Sequence, residues 1–564
     1  MPIASVYLDD PIVQPLIGPG APFEVQEIVL DGVPLRDFVR APRTLVDIFR
    51  MGVAHEDLVH IVHGDERVTF GEVRRRAWSL ARELQSTLGV RAGDRVAIAM
   101  RNLPEFVVSF WGAALVGAII VPLNSWWTGE ELVYGLRDAG AVVAFLDPER
   151  LERVRVYGAP AGVHLVAVRT RDCELCFDDL VTGAAIDESA IADLGPDDLV
   201  TILYTSGTTG RPKGAPATNR AHIANLWNMA FAAARESLLA RRPAASAGQS
   251  ATLSAQPLFH IGGIASIIGG PMGGGKLVMM PRWDLQSAVA LAQREGLTNL
   301  GGVPTIARQL LDHPGIGKLG LDVRSFPMGG AAVPPDLPLR AIEVFGPGVQ
   351  ILNGYGLTET TSACATNVGI EFEARPDSVG RTNLTADVRI VDPDGSPLPP
   401  GEVGEICFRS PQVARGYWNN EEATAEVFRD GWFHSGDVGT LDDEGFLYVV
   451  DRMKDVVIRG GENVYSPEVE AVLYEHPDVA EVVVIGLPEA LMGERVCAVV
   501  VPRPGATPDL ASLRAFVAAH LAAFKCPEAL FITDELPKTA TSKVAKRELR
   551  VQLTEREADL ERLW

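Results

Sequence analysis

Cysteine is scarce in this chain. Six in 564 residues cannot build a disulfide framework. Cys173 and Cys176 form a lone C-x-x-C, two ligands short of a structural zinc site, and read as unremarkable thiols. A reducing, cytoplasmic compartment is the expectation. No apolar run is long enough for a membrane span. The longest uncharged one, 106–121, is short for a bilayer and is interrupted by Gly112 and Gly117. It reads as a buried helix and then a strand over 118–121, so stable membrane insertion is not expected. The first ten residues have no basic segment of the kind that opens a secretory leader. Positive charge is in deficit: 51 Lys and Arg against 73 Asp and Glu leave a net charge of -22. That opposes binding to nucleic acid and disfavours an anionic lipid surface. Internal repeats and long low-complexity tracts are absent.

What remains is an ordinary globular composition, 47% apolar and 22% charged, in a chain too long for one core. Helical and strand-like segments alternate through the first 450 residues, among them an amphipathic helix over 70–84, strands at 94–100 and 142–146, and a helix at 105–116. That rhythm predicts an α/β fold with a mostly parallel sheet and flanking helices. The stretch 232–252, rich in Ala, Arg and Ser, reads as an exposed helix end and loop. Near 450 the texture shifts to short strands and helices, enough for a small, mobile α+β domain. The expected division is 1–451 and 452–564, with a hinge at 451–455.

The densest chemistry lies at Tyr204-Thr-Ser-Gly-Thr-Thr-Gly-Arg-Pro-Lys213-Gly214. A buried strand over 199–203 feeds a Gly-rich turn. Its backbone N–H groups, the hydroxyls of Thr205, Ser206, Thr208 and Thr209, the permissive Gly207 and Gly210, and the Lys213 ammonium suit a polyphosphate. A second glycine cluster, Gly270–Lys276, imitates a Walker A loop, but Leu277 stands where Ser or Thr would hold magnesium and a strand follows, so it is set aside. Downstream, Tyr355-Gly-Leu-Thr358-Glu359 offers a ring for a nucleobase, a hydroxyl for phosphate and a hard oxygen for Mg²⁺. In Trp432-Phe-His-Ser-Gly-Asp437 a carboxylate after a tight turn suits two ribose hydroxyls. Gly460-Gly-Glu-Asn463, ahead of Tyr465-Ser-Pro467, allows close approach of a thin chain, while Ser466-Pro467 also reads as a helix start. Lys538 to Arg547 is a basic run near the C-terminus.

In this order and spacing the motifs resemble those of the adenylate-forming (AMP-binding) enzymes, which include acyl-CoA synthetases, aryl-CoA ligases, luciferases and peptide-synthetase adenylation domains. The resemblance spans nearly the whole chain and favours the acyl-CoA synthetase branch. It implies ATP, Mg²⁺ and coenzyme A. It gives Asn353 the adenine edge, Asp437 and Arg452 the ribose, Lys213 and the 205–210 amides the β,γ-phosphates, and Gly460 and Gly461 the pantetheine tunnel. Lys543 takes the role of the lysine that bridges carboxylate and α-phosphate. Ser542 stands where the family pattern has glycine. Lys454 occupies the hinge about which the small domain turns between adenylation and thioester formation.

By the same resemblance the acyl pocket draws on 225–229, 260–265, 301–305, 329–331 and 354–357. Asn225, His260, Gly302, Gly329, Gly330, Ala331 and Gly354 lie in these segments, which contain no Asp, Glu, Lys or Arg. Phe259-His260 stands where amino-acid adenylating domains carry an Asp, so an amino-acid substrate is disfavoured. The glycines, including Gly262, Gly263 and Gly301, are expected to leave space for a large apolar acid. A medium- or long-chain fatty acid comes first, and an aryl or alicyclic acid second. A free-standing adenylating enzyme that loads a carrier protein, a non-catalytic relative and a luciferase-like oxygenase remain as other classes. A homodimer is left open.

Overall fold

The computed structural model describes residues 7, 8, 10–183, 191–205, 211–241, 248–489, 491–539 and 543–561, with side chains to 556. Among them a large α/β body precedes a small α+β domain. Of the phosphate loop, Ser206, Gly207, Thr208, Thr209 and Gly210 lie outside the described residues, as does Ser542.

One sheet of the large body has the order Lys213–Thr218, Leu199–Thr205, Ile119–Pro122, Arg95–Ala99, Ala141–Leu146, His164–Ala167, Leu175–Cys176. Every pair but the first is parallel, because a helix returns the chain between most strands. Pro104–Leu115 is such a helix and is buried on all sides. It packs on Phe70–Ser86, whose start is fixed by a capping box between Thr69 and Glu72. Phe106, Phe110 and Trp111 form the centre of this core. The expectation of a buried helix and strand over 106–121 is met.

A second sheet runs Ser325–Gly329, Gln350–Leu357, Ser362–Val368, Gly380–Thr382, Phe446–Arg452, Trp432–Leu441, Gly404–Arg409, Asp387–Val391. Here the expected parallel pattern fails after the first pair: the ladders from Leu352 onward are antiparallel. Several connections, such as 442–445, are far too short for a crossover helix. Single bridges from Asn299 to Thr252 and Ser325 join this sheet to a four-stranded one. In the stretch at 232–252 the helix Asn219–Leu239 ends as expected, but Arg235 and Glu236 are buried where exposure was expected. Arg235 donates twice to Glu371, at 2.5 and 2.7 Å, which compensates for its burial.

The Walker-like glycines end the helix Ile261–Gly273, and Lys276 opens a strand. That order is the reverse of a strand–loop–helix phosphate site. All six cysteines are free. No helix among the described residues is long and apolar enough to cross a membrane.

The small domain has its own apolar clusters, all from Val457 onward. Its long strands Val479–Glu489 and Gly493–Pro502 pair along most of their length. It touches the large body where Arg308 lies 5.1 Å over the Tyr474 ring and where the Ser466 amide donates to Asp451 Oδ2 at 2.8 Å.

Candidate active site

Two antiparallel strands bracket the segment 206–210. Leu199–Thr205 pairs with Lys213–Thr218, and Thr205 stands opposite Lys213. The return strand is clamped from outside, since the Trp418 amide donates to Gly214 O at 2.7 Å. The Lys213 ammonium sits 5.1 Å over the Tyr417 ring.

Gln350–Leu357 lies beside Ser325–Gly329 in parallel register, with Asn353 opposite Met328 and Gly354 opposite Gly329. Asn353 is buried, and its Oδ1 lies 3.7 Å from where a Cβ on Gly329 would stand. The strand ends in a short turn, Thr358–Thr360. Thr361 and Ser362 follow with φ of 48° and 87°, a left-handed backbone that β-branched and polar residues adopt only under constraint. The Thr360 hydroxyl pins the turn by donating to Ser362 O at 2.7 Å. Glu359 thereby points from a rigid corner.

Asp437 gathers a second cluster. It stands opposite Arg452 on the paired strands Trp432–Leu441 and Phe446–Arg452. The Tyr355 hydroxyl donates to its Oδ2 at 2.6 Å, and Arg452 Nε lies 3.2 Å from Oδ1. Burial pushes the Asp437 carboxyl up, against the pull of Arg452 and Tyr355, and holds the Tyr355 phenol protonated. The Tyr355 ring leans on Phe408 at 5.8 Å, so its position is set from behind.

Lys543, from the small domain, reaches this cluster. A Cβ on Gly330 would lie 3.7 Å from its Cε. Burial pushes its pKa down to about 8; Arg452 adds to that and Asp437 opposes it. His260, at the start of Ile261–Gly273, is pushed down to about 4 by burial and then by the Lys543 charge, so its imidazole is neutral at pH 7. A half-buried cation near a neutral imidazole and a carboxylate is poised to gain an anionic partner.

Glu359 is 8% exposed. One oxygen accepts from the Tyr417 hydroxyl at 2.7 Å, and burial pushes its carboxyl up. Among the described residues it forms no ion pair. A buried carboxylate whose second oxygen has no hydrogen bond or ion pair among the described residues suits a hard divalent ion, so the residue fits Mg²⁺.

Not every expected residue joins the site. Gly460 and Gly461 form the turn between Val457–Arg459 and Glu462–Val464, with Gly460 tied to Met492 O at 2.7 Å and nothing within 4 Å of a Cβ on Gly461. They are not at the Lys543 cluster in this arrangement. Lys454 is exposed in the turn after Arg452. Ala331 and Gly330 are exposed, and Asn225 is buried with no partner for its Oδ1.

The reading of the glycines as pocket space needs correction. A Cβ on Gly301 would lie 2.1 Å from Pro327 O, one on Gly263 2.6 Å from Pro257 O, and one on Gly329 3.0 Å from Gly354 O. These glycines let backbones approach. Gly302 meets the Ile306 side chain at 3.2 Å, and only Gly330 meets nothing closer than 3.6 Å.

Sequence reasoning missed Tyr417 and Trp418. Their only signal was an aromatic pair in a loop, distant in sequence from both motifs they touch.

Comparison with known proteins settles the family. The profile of the AMP-binding enzymes matches residues 49–418, and that of the AMP-binding enzyme C-terminal domain matches 468–543. The chain belongs to the AMP-binding enzymes. A feruloyl-CoA synthase from Amycolatopsis is 38% identical over 490 residues, 86% of this chain and 94% of that protein. A long-chain-fatty-acid–CoA ligase from Bacillus subtilis is 33% identical, covering 87% of this chain and 91% of the relative. The crystal structure of the anthranilate–CoA ligase AuaEII with anthranoyl-AMP superposes with a TM-score of 0.82 at 26% identity, covering 91% of this chain and 98% of that one. This AMP-binding enzyme is therefore an AMP-forming acid–CoA ligase of the acyl-CoA synthetase branch.

Proposed function

We propose that the enzyme activates an uncharged aromatic acid, ahead of a fatty acid, and passes the acyl group to CoA. The observation that carries the chemistry is Lys543, seated beside Gly330, His260, Asp437 and Arg452. A carboxylate attacking the α-phosphorus of ATP brings two anions together, and a half-buried cation at that point lowers the barrier. One carboxylate oxygen bonds to phosphorus and pyrophosphate leaves. The CoA thiol then attacks the acyl carbon, and AMP leaves with that oxygen. Mg²⁺ held by Glu359 would offset phosphate charge. Asp437 would hold the ribose while Tyr355 and Arg452 fix its carboxylate. Lys213, with Thr205 and the 206–210 loop, would take the β,γ end, with Thr358 and Asn353 serving phosphate and adenine.

The preference for an aromatic acid has two supports. Three of the glycines that suggested room for a long chain, Gly263, Gly301 and Gly329, face backbone instead, and the feruloyl relative is more similar than the fatty-acid ligase. The unpartnered Asn225 Oδ1 would suit a hydroxyl on the acid. For CoA as acceptor, the support is a cavity of about 480 Å³ lined by Arg101, Trp126, Arg282, Lys538 and Thr539. Arg101 stacks on Trp126 at 3.6 Å, and its Nη1 is buried without a partner. Such walls suit the phosphates and ring of a nucleotide. The division near 451–455, with Lys454 as pivot, would then exchange Lys543 for Gly460 and Gly461 between the two steps.

The test is pyrophosphate release across hydroxycinnamic, benzoic, alicyclic and fatty acids, with CoA, pantetheine or a carrier protein as acceptor. Highest kcat/KM for an aryl acid with CoA is expected. A preference for a fatty acid of twelve or more carbons would overturn the aromatic reading.

A further inference from the structure

The Glu359 turn and the Lys213 strand lie far apart in sequence, yet one short segment grips both. The Ala414 amide donates to Glu359 O at 2.8 Å. The Tyr417 hydroxyl donates to Glu359 Oε1 at 2.7 Å. The Trp418 amide donates to Gly214 O at 2.7 Å, next to Lys213. The Lys213 ammonium rests 5.1 Å over the Tyr417 ring. The segment is itself anchored. The Tyr417 amide bonds Thr424 Oγ1 at 2.8 Å, the Tyr417 ring packs edge-on against Phe428 at 5.7 Å, and the Trp418 indole reaches Asp138 O at 3.3 Å.

We infer that Tyr417 is a positioning residue that sets the Glu359 carboxylate and the Lys213 ammonium relative to each other, so that the metal and the terminal phosphates of ATP are gripped in one fixed geometry. The inference rests on the reading of Glu359 as the metal ligand. Its two functions separate by atom. The hydroxyl orients Glu359 by occupying one oxygen and leaving the other for the cation. The ring face holds the Lys213 charge by a cation–π contact. The phenol serves only as a donor here, since burial raises its pKa well above neutrality and Glu359 raises it further.

The two functions can be tested apart with Tyr417→Phe, Tyr417→Leu and Glu359→Gln. Three quantities are measured on each full-length enzyme: ATP affinity with EDTA present, Mn²⁺ affinity of the enzyme–ATP complex by electron paramagnetic resonance, and the Mg²⁺ concentration for half-maximal acyl-AMP formation. Tyr417→Phe keeps the ring and its packing, so it should leave metal-free ATP affinity unchanged. It should weaken Mn²⁺ binding and raise the Mg²⁺ requirement by about tenfold, the usual cost of losing a partner that orients a metal ligand. Tyr417→Leu should show the same metal defect and lose a further two- to fivefold or so in metal-free ATP affinity, as expected for a cation–π contact. If Glu359→Gln is impaired in metal binding while Tyr417→Phe matches the parent, the role of Tyr417 is overturned and the metal reading stands. If Glu359→Gln leaves metal binding unchanged, the metal reading fails and this inference falls with it.

Discussion

Lys543→Ala should separate the two halves of the reaction. The ammonium is half-buried and feels the charges of Arg452 and Asp437, at the point where, on the proposed reading, charge concentrates only while pyrophosphate departs. Removing one such charge-stabilising group costs about 10²- to 10³-fold in rate. Acyl-AMP formation should fall by that factor, while conversion of supplied acyl-AMP and CoA to the thioester should persist. The structure adds a pH signature. In the free enzyme the Lys543 pKa is pushed down to about 8, and the protonated form is the active one. Two pH units then span the titration, so kcat/KM for adenylation should drop about tenfold from pH 7 to pH 9. In the ternary complex the phosphates restore the pKa, so kcat should hold to higher pH than kcat/KM. Lys543→Arg, always charged, should lose the alkaline limb even if it is slow. The assays are pyrophosphate release without CoA for the first half and thioester formation from synthetic acyl-AMP for the second. Equal loss of both halves in Lys543→Ala, or a kcat/KM flat to pH 9, would refute the reasoning.

Lys454→Pro should do the reverse, sparing acyl-AMP formation and blocking thioester formation, because proline fixes φ in the turn proposed as the pivot; the same two assays decide it. Gly301→Ala should unfold at markedly lower urea concentration than Gly330→Ala. Both positions have positive φ, but a Cβ at 301 meets a carbonyl oxygen at 2.1 Å while one at 330 meets nothing within 3.6 Å. Equal midpoints would show that contact distance is not what sets the cost. Arg101→Ala should raise KM for CoA about tenfold, the scale of a charge-assisted hydrogen bond, and leave KM for ATP and acid alone; steady-state kinetics with each substrate varied would show it.

Much of the candidate site was legible in the sequence because its groups sit on contiguous motifs. Thr205 faces Lys213 across one antiparallel pair, Asn353 to Glu359 share one strand and turn, and Asp437 faces Arg452 across a ladder. Apolar runs at 95–99 and 141–146 gave the parallel sheet, since buried parallel strands are apolar on both faces. The antiparallel half was not legible, because strands such as Ser362–Val368 carry the same buried run and differ only in the length of their connections. The glycine segments misled for a related reason. Composition shows that a side chain is missing, but whether a ligand or the Pro327 carbonyl fills the gap depends on tertiary packing. Tyr417 was invisible because both its partners come from other parts of the chain.

The most direct test of the central claim follows one oxygen atom. The acid is labelled in both carboxylate oxygens with ¹⁸O and turned over with ATP and CoA, and the phosphorus products are analysed by mass spectrometry. Attack at the α-phosphorus predicts one ¹⁸O in AMP and none in pyrophosphate. Label in inorganic phosphate, with ADP as the nucleotide product, would contradict the account.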